Sequence, residues 1–299
     1  AAAADPALAA LWRDGLRAAA LLAVDPAGLG GVALRACPGP VREAWLDEWR
    51  ALVGDAPVRR VPLHITESRL LGGLDLAATL RAGLPVTERG LLADCDGGFA
   101  ILAMGERASR STVAHLATAL DRGELTLARE GIHGDVQARI ALVALDEGQD
   151  DSEVLSPVLR DRLAFQLDLT PLSIRDLDEP PFDAADVADA RAMLDSVRVS
   201  EEALKAVVAT AMALGVDGIR ACQFAVAAAR AGAALAGRGE VDERDLDLAA
   251  RLVLAPRATQ VPAPPEEPEE PDEAPPEEPD KDEDNKGEDD DPPEPPDLD

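Results

Sequence analysis

The sequence has very few aromatic side chains. There is no tyrosine, and aromatic residues make up only 2% of the 299 positions. Apolar residues nevertheless account for 46% of the chain, chiefly as Ala, Leu and Val, so a sizeable core can form. A chain of this length is expected to fold as one large or two medium domains.

Cysteine and long apolar runs are also scarce. The three cysteines, Cys37, Cys95 and Cys222, show no C-x-x-C or Cys/His spacing, so we expect thiols in a cytoplasmic protein and no metal site. No apolar run reaches 18 residues, which predicts no membrane-spanning helix. The Ala-rich start lacks a basic segment before an apolar core, so we expect no signal peptide.

Basic residues are the third scarcity: 29 Lys and Arg face 58 Asp and Glu, a net charge of −29. Ala263–Asp299 alone holds 19 acids and 2 lysines, and the preceding residues hold 39 acids and 27 bases. Nucleic acid is therefore not an expected partner, because phosphate binding needs clustered Lys and Arg. Residues 256–299 are rich in Pro and acid and predict a disordered segment, either a linker or a tail that contacts a basic surface.

Residues 19–36 read A-A-L-L-A-V-D-P-A-G-L-G-G-V-A-L-R-A and have the layout of a phosphate-binding loop. Residues 21–24 predict a buried strand, and a Gly-rich turn and a short helical segment follow. The nucleotide-binding pattern is G-x-x-x-x-G-K-[S/T]. The loop residues in question are Asp25, Gly28, Gly30, Gly31 and Val32.

This loop lacks the groups that handle phosphate. In the pattern, Asp25 replaces the first Gly, Gly31 replaces the Lys, and Val32 replaces the hydroxyl residue that ligates Mg²⁺. At roughly 4 Å and an effective dielectric near 20, each charge pair that Asp25 makes with a phosphate costs about 4 kcal/mol. We therefore predict a nucleotide-binding fold that does not bind ATP. The alternative is a plain strand-turn-helix that never bound phosphate.

Apolar runs of strand length alternate with amphipathic helical segments up to residue 172, which predicts an α/β fold with a parallel sheet. Further strands are expected at 59–65, 98–104, 140–145 and 164–169, and a hairpin at 125–129 and 135–137. Helices are expected at 6–18, 41–53, 109–122 and 156–162. Residues 173–255 predict an all-helical domain, with helices at 183–196, 200–214, 218–236 and 242–254. Ser200 and Asp242 are the expected N-caps.

Four segments resemble the AAA+ ATPases, and in particular the D subunit of magnesium chelatase. They are E-S-R-L-L-G-G-L-D-L at 67–76, G-L-L-A-D-C-D-G-G-F-A-I-L at 90–102, E-L-T-L-A-R-E-G at 124–131 and L-S-P-V-L-R-D-R-L at 155–163. The first resembles an insert before the family's second helix, the second resembles the approach to its Walker B strand, and the third resembles its presensor hairpin. The fourth resembles its arginine-finger helix. The resemblance covers most of residues 19–254 and implies an AAA+ α/β domain at 1–172, a helical lid at 173–255 and a linker at 256–299.

The departures from the family pattern concern nucleotide chemistry. The two Walker B acids, which hold Mg²⁺ and polarise water, correspond here to Ala103 and Met104. A polar sensor residue is replaced by acidic sequence around Asp146 and Glu147. The resemblance thus implies a subunit that binds no cofactor itself, while a partner subunit uses ATP and Mg²⁺.

The basic residues of the pattern are retained. Arg162 lies at the arginine-finger position, which acts in trans on a neighbour's nucleotide, and Arg160 is a weaker alternative. Arg220 lies where a sensor-2 arginine is expected. The alternative for each is a surface arginine in an ion pair.

The resemblance implies a ring with an active AAA+ ATPase subunit and contact with a large porphyrin-binding subunit. This assembly, a ligase that forms N–Mg bonds, would insert Mg²⁺ into protoporphyrin IX in chlorophyll or bacteriochlorophyll synthesis. The alternatives are an AAA+ chaperone of the MoxR type and a plain scaffold with an acidic tail. The family continues into an integrin-I-like domain with a D-x-S-x-S metal motif. That motif is absent here, so we expect this sequence to be part of a longer chain.

Overall fold

The computed structural model describes residues 5–84, 86–129, 132–150 and 152–260. The strands are β1 (Gly31–Arg35), β2 (Val58–Val61), β3 (Gly72–Leu74), β4 (Thr87–Arg89), β5 (Gly98–Leu102), β6 (Glu124–Arg129), β7 (Ile132–Gln137), β8 (Ile140–Asp146) and β9 (Phe165–Asp168). The helices are α1 (Pro6–Val24), α2 (Pro26–Leu29), α3 (Pro40–Val53), α4 (Glu67–Leu71), α5 (Leu76–Ala82), α6 (Leu91–Asp94), α7 (Arg110–Arg122), α8 (Pro157–Arg160), α9 (Ala184–Met193), α10 (Glu201–Ala213), α11 (Ile219–Leu235) and α12 (Glu243–Ala249).

Five parallel strands form the central sheet in the order β2-β5-β8-β1-β9. In the register of this sheet, Val32 of β1 lies opposite Val143 of β8 on one side and Phe165 of β9 on the other. Every residue of β5 and β8 is buried, as expected for parallel strands covered on both faces by helices. The predicted α/β class is confirmed.

The prediction of a strand at residues 21–24 is wrong, because these residues form the last turn of α1. α1 continues six residues past the predicted end at residue 18, and its residues from Ala18 to Val24 are all buried. A short apolar run that is buried on all sides fits a core helix as well as a strand, and periodicity does not separate the two. The first strand therefore follows the Gly-rich turn instead of preceding it.

The insert at residues 66–83 is more regular than the loop and helix expected from the sequence. It contains α4, then β3, which pairs antiparallel with β4, and then α5, whose cap Asp75 accepts a hydrogen bond from Ala78 N at 2.8 Å. The predicted hairpin is confirmed as β6 and β7. The central residues of its turn, 130 and 131, lie outside the described residues.

Helices α9 to α12 form the predicted all-helical part, and both expected caps are confirmed. Ser200 Oγ accepts from Ala203 N at 3.1 Å, and Asp242 Oδ1 accepts from Arg244 N at 3.0 Å. These helices bury apolar side chains in the same core as α1 and α3. The few aromatic residues gather there: Trp45 and Trp49 stack with ring centroids 6.3 Å apart, and Trp49 meets Phe99 edge-on.

The chain stays ordered beyond the boundary expected at residue 256, so the prediction of disorder is wrong for residues 256–260. Arg257 donates to the carbonyl oxygens of Leu163, Ala164 and Val253, and its burial lowers the pKa of its guanidinium to about 10. Thr259 N donates to Leu214 O at 3.0 Å. The rest of the predicted disordered segment, 261–299, lies outside the described residues. No helix in the described ranges has the length and apolar content needed to cross a bilayer.

Candidate functional site

The loop after β1 occupies the position of a phosphate-binding loop. In open parallel sheets, ligands bind beyond the carboxyl ends of the strands, and β1 ends at Arg35. A four-residue loop, 36–39, then leads into α3, which begins at Pro40. This strand-loop-helix unit, and not residues 19–36, corresponds to the nucleotide-binding pattern.

The pattern places specific residues of this loop where phosphate-handling groups are expected. With Ala36 at the first Gly of G-x-x-x-x-G-K-[S/T], Val41 falls on the second Gly, Arg42 on the Lys and Glu43 on the hydroxyl residue. Glu43 brings a negative charge to the place where a hydroxyl would ligate Mg²⁺. A bulky Val41 replaces the Gly that lets the backbone approach phosphate.

The loop predicted from the sequence lies at the opposite end of β1, so the prediction that it has the position of a phosphate-binding loop is wrong. Gly30 directly precedes β1 and Gly31 is its first residue, so both lie at the amino end of this strand. A Cβ on Gly30 would lie 2.3 Å from Arg162 O, and one on Gly31 would lie 2.0 Å from Leu142 O. Close backbone approach therefore requires these two glycines.

The remaining residues of the predicted loop have structural contacts. Asp25 caps α2 by accepting a hydrogen bond from Gly28 N at 2.8 Å. Val32 is buried within β1.

Four charged residues, which we call the Arg42 cluster, lie around the loop after β1: Arg42, Glu43, Glu106 and Glu147. Arg42 Nη1 donates to Glu147 Oε1 at 2.7 Å, and Arg42 Nη2 donates to Glu43 Oε1 at 3.0 Å. The Arg42 side chain is only 8% exposed. Glu147 N in turn donates to Glu106 Oε2 at 3.1 Å. The guanidinium of Arg42, which takes the position of the phosphate-binding Lys, is thus hydrogen-bonded to carboxylates of its own chain.

Ala103 and Met104 directly follow β5, at the position predicted for the Walker B acids. Neither side chain has an oxygen that could ligate a metal ion. Met104 adopts a left-handed backbone conformation with φ of 48°, and the chain turns there into the segment that buries Glu106. In the part of the chain that the structure describes, no group of three His, Cys, Asp or Glu residues could hold a metal ion.

The acidic residues at the expected sensor position bind the local backbone and Arg42. Asp146 ends β8, is buried, and accepts hydrogen bonds from Gly148 N at 2.9 Å and Leu155 N at 3.2 Å. Together with the Arg42 cluster, this edge presents carboxylates where phosphates and their metal ion would lie. The residues present do not fit a Mg²⁺–nucleotide complex.

A second group of charges, which we call the Asp121 cluster, comprises Asp121, Asp161, Arg162 and Arg220. Arg162 donates to Asp121 Oδ2 from Nε at 2.9 Å and from Nη2 at 2.6 Å. Arg220 Nη1 donates to Asp121 Oδ1 at 2.9 Å, and Arg220 Nε lies 3.3 Å from Asp161 Oδ2. The arginine-finger and sensor-2 candidates therefore meet at one carboxylate on α7.

This arrangement changes the ionisation of Asp121. Desolvation acts to raise the pKa of its carboxyl, but the hydrogen bonds and charges of the two arginines outweigh that effect, so the pKa lies below its ordinary value. The cluster is partly open to solvent, since the side chains of Arg162 and Arg220 are 19% and 36% exposed. Its guanidiniums are thus held in place at a surface that solvent reaches.

Arg160 lies apart from this cluster. Its Nη2 donates to Gln166 Oε1 at 2.9 Å, and its side chain lines a small cavity of about 240 Å³ with Arg35 and Asp146.

Sequence reasoning did not identify Arg42 or Asp121. The segment P-G-P-V-R at residues 38–42 could have pointed to Arg42, because it forms a turn that leads into the helix expected at 41–53. Nothing in the sequence marks Asp121, whose partners are 41 and 99 residues away.

A family model and curated relatives both match this chain, and the two matches agree. Residues 204–279 match the AAA lid domain. The magnesium-chelatase 60 kDa subunit of Cereibacter sphaeroides is 40% identical over 257 residues, which are 85% of this chain and 43% of that protein. The chain belongs to the family of the magnesium-chelatase 60 kDa subunit.

A second magnesium-chelatase subunit and a solved structure are also similar to this chain. The magnesium-chelatase 38 kDa subunit of the same organism is 28% identical over 229 residues, covering 69% of this chain and 68% of that one. A putative ATPase from Cytophaga hutchinsonii shares the fold, with a TM-score of 0.61 at 15% identity over 84% of this chain and 89% of that structure. The chain spans less than half the length of the 60 kDa relative that it matches.

Proposed function

We propose that this chain is a AAA+ module that does not hydrolyse ATP and that acts in a magnesium chelatase, an ATP-driven ligase. The Arg42 cluster carries the proposal. A buried internal ion pair takes the place of the phosphate-binding Lys, and Glu43, Ala103 and Met104 replace the groups that would hold Mg²⁺. The kinship with magnesium-chelatase subunits supports the setting in which this module works.

The Asp121 cluster supports a role at a subunit interface. A module without its own nucleotide can contribute to hydrolysis only through a neighbour's site, and Arg162 is the residue that we assign to this task. A guanidinium that stabilises the charge of the transferring phosphoryl group accelerates hydrolysis in trans. Arg220 lies beside Arg162 on the same carboxylate and would shift with it when the neighbour docks.

The proposed assembly is a cytoplasmic ring in which this module adjoins an active AAA+ ATPase subunit, which itself binds ATP and Mg²⁺. The ring would act on a large porphyrin-binding subunit, and Mg²⁺ would enter protoporphyrin IX there. The product would feed chlorophyll or bacteriochlorophyll synthesis. In this scheme the present chain transmits and completes the partner's hydrolysis, and it neither binds porphyrin at the Arg42 cluster nor ligates the metal ion there.

The proposal is tested with the purified chain by ATP turnover and by titration calorimetry with Mg²⁺–ATP. We expect no turnover above that of a mock purification and no saturable heat at the Arg42 cluster. Arg42→Ala is the control, since contaminating ATPase survives that substitution. Turnover that the wild-type chain shows and Arg42→Ala abolishes would overturn the proposal.

A further inference from the structure

A cleft of about 620 Å³ opens beside β2, the edge strand of the sheet, and shares no lining residue with the Arg42 or Asp121 clusters. Its walls come from four places: β2 and the loop after it, α4, β4 and α6. The basic residues that line it are Arg59, Arg60, His64, Arg69 and Arg89, and the acidic ones are Glu88 and Asp94. Positive charge is thus concentrated in one concave place on a strongly acidic chain.

Two of the four arginines of this cleft have side-chain partners within the chain. Arg89 Nε lies 3.1 Å from Asp94 Oδ1 and its Nη2 donates to Ala93 O, while Arg59 Nη1 donates to Val58 O at 3.1 Å. For Arg59, Arg60 and Arg69, no ion pair with a carboxylate exists within the described ranges, and all three are exposed. Acids outnumber bases two to one in the sequence, so three arginines that line one cleft and have no carboxylate partner among the described residues call for an explanation.

One explanation is that charges on an edge strand prevent pairing with another chain. This accounts for Arg59 and Arg60, which lie on β2. It does not account for Arg69, which lies on α4, or for Arg89, which lies on β4. Arginines from three separate elements thus line one cleft, and such convergence of basic residues is what a binding site for an anion requires.

We infer that this cleft binds a small ligand that carries at least two anionic oxygen groups, with room for an apolar part between them. Guanidinium forks bind carboxylates and phosphates with two parallel hydrogen bonds, so Arg60 and Arg69 alone can hold two such groups. Pro62, Ile65 and Leu91 supply an apolar surface between them. The volume falls in the range of ordinary small-molecule sites, roughly 300–1,000 Å³.

Two sources offer this chemistry: a tetrapyrrole dicarboxylate, which is the substrate in the proposed function, and a phosphate compound. The inference rests on the cleft alone and stands whether or not the chain belongs to a chelatase complex. The probes are deuteroporphyrin IX, its neutral dimethyl ester and inorganic pyrophosphate. Each is titrated into the full chain at low and at moderate ionic strength.

The test variant is Arg60→Gln/Arg69→Gln, which removes two positive charges without breaking an internal ion pair. The matched control is Arg110→Gln/Arg244→Gln, which changes the net charge equally on α7 and α12, outside the cleft. Both residues are exposed. Thermal melting checks that all three proteins are folded. Isoleucine-methyl NMR spectra report on the place of binding, since Ile65 lines the cleft and Ile219 lies on α11.

We expect at least one of the two anions to bind, with an affinity that falls about tenfold or more in the test variant and with added salt. The control variant should bind as the wild type does, and the Ile65 methyl signal should shift while that of Ile219 stays in place. Which anion binds identifies the source. The inference is overturned if neither anion binds, if the dimethyl ester binds as well as the acid, or if the test variant retains the wild-type affinity.

Discussion

The Arg42 cluster and the Asp121 cluster both join an arginine to carboxylates, yet they differ in burial and in how their charges balance. Arg42 is buried and divides its guanidinium between two acids. In the Asp121 cluster two partly exposed arginines share one aspartate. The first arrangement satisfies a cation inside the protein, whereas the second leaves guanidinium groups within reach of another molecule. This difference supports our proposal that an internal ion pair replaces nucleotide handling at one site, while the arginines of the other site can act on a neighbour.

The largest expected effect concerns Arg162. In a complex reconstituted from the full-length subunits, Arg162→Ala should lower ATP hydrolysis and Mg²⁺ insertion by on the order of 10³-fold, because the partner's phosphoryl charge loses its guanidinium. Arg160→Ala should do less, since that side chain is bound to Gln166, away from the cluster. Hydrolysis and insertion rates are measured together, and sizing chromatography checks assembly.

The outcome for Arg162 is informative in both directions. Arg162→Lys keeps the charge but loses the planar fork and should recover little activity. An Arg162→Ala complex that assembles and works at the wild-type rates would mean that Arg162 is only a surface residue in an ion pair.

Arg42 should matter for stability. Arg42→Ala leaves the carboxylate of Glu147, whose side chain is only 20% exposed, without its partner, and breaking such a buried pair costs about 3 kcal/mol of unfolding free energy. Denaturant unfolding measures this loss. Arg50→Ala, on the same helix, is the matched control: its pair with Asp47 is exposed, so its loss should cost under about 1 kcal/mol.

A double substitution separates unpaired charge from lost packing at the Arg42 cluster. Arg42→Met/Glu147→Leu removes both main partners and should be closer to the wild type than Arg42→Ala is, because no buried charge is left alone. If the double variant is the less stable of the two, the contacts of the side chains, and not their charges, maintain this edge.

The smallest effect is expected at Asp121. Asp121→Asn should lower the unfolding free energy by about 1 kcal/mol at neutral pH, since it weakens charged hydrogen bonds at a partly exposed site. The folded-state pKa of Asp121 lies below the ordinary 3.8. Its stabilising contribution is therefore complete above that value and is lost as the pH falls through the folded-state pKa.

Melting temperatures of the wild type and of Asp121→Asn, followed from pH 7 downward, check this dependence. The difference between the two proteins should stay constant to about pH 5 and shrink below about pH 4. A difference that persists unchanged in acid would show that Asp121 acts through its shape and not through its charge.

Secondary structure in this chain was predictable wherever a long periodic pattern ended in a recognisable cap. The helices that begin after Ser109, Ser200 and Asp242 illustrate this, because a side-chain oxygen at each start satisfies free backbone N–H groups. The four apolar residues 21–24 were not predictable in the same way. Their burial comes from the packing of α1 against α3 and the helical part, and a run so short carries no periodicity of its own.

Residue type and local spacing are enough to predict that an α/β part precedes a helical part, that the chain is acidic, and that no Walker B acids follow β5. They do not predict that the Gly-rich turn lies at the amino end of the sheet, or that Arg42 meets Glu147 across 105 positions. Only the tertiary structure placed Arg162 and Arg220 on one carboxylate. Such contacts join elements that are distant in sequence, and the packing of the sheet and helices brings their side chains within hydrogen-bonding distance.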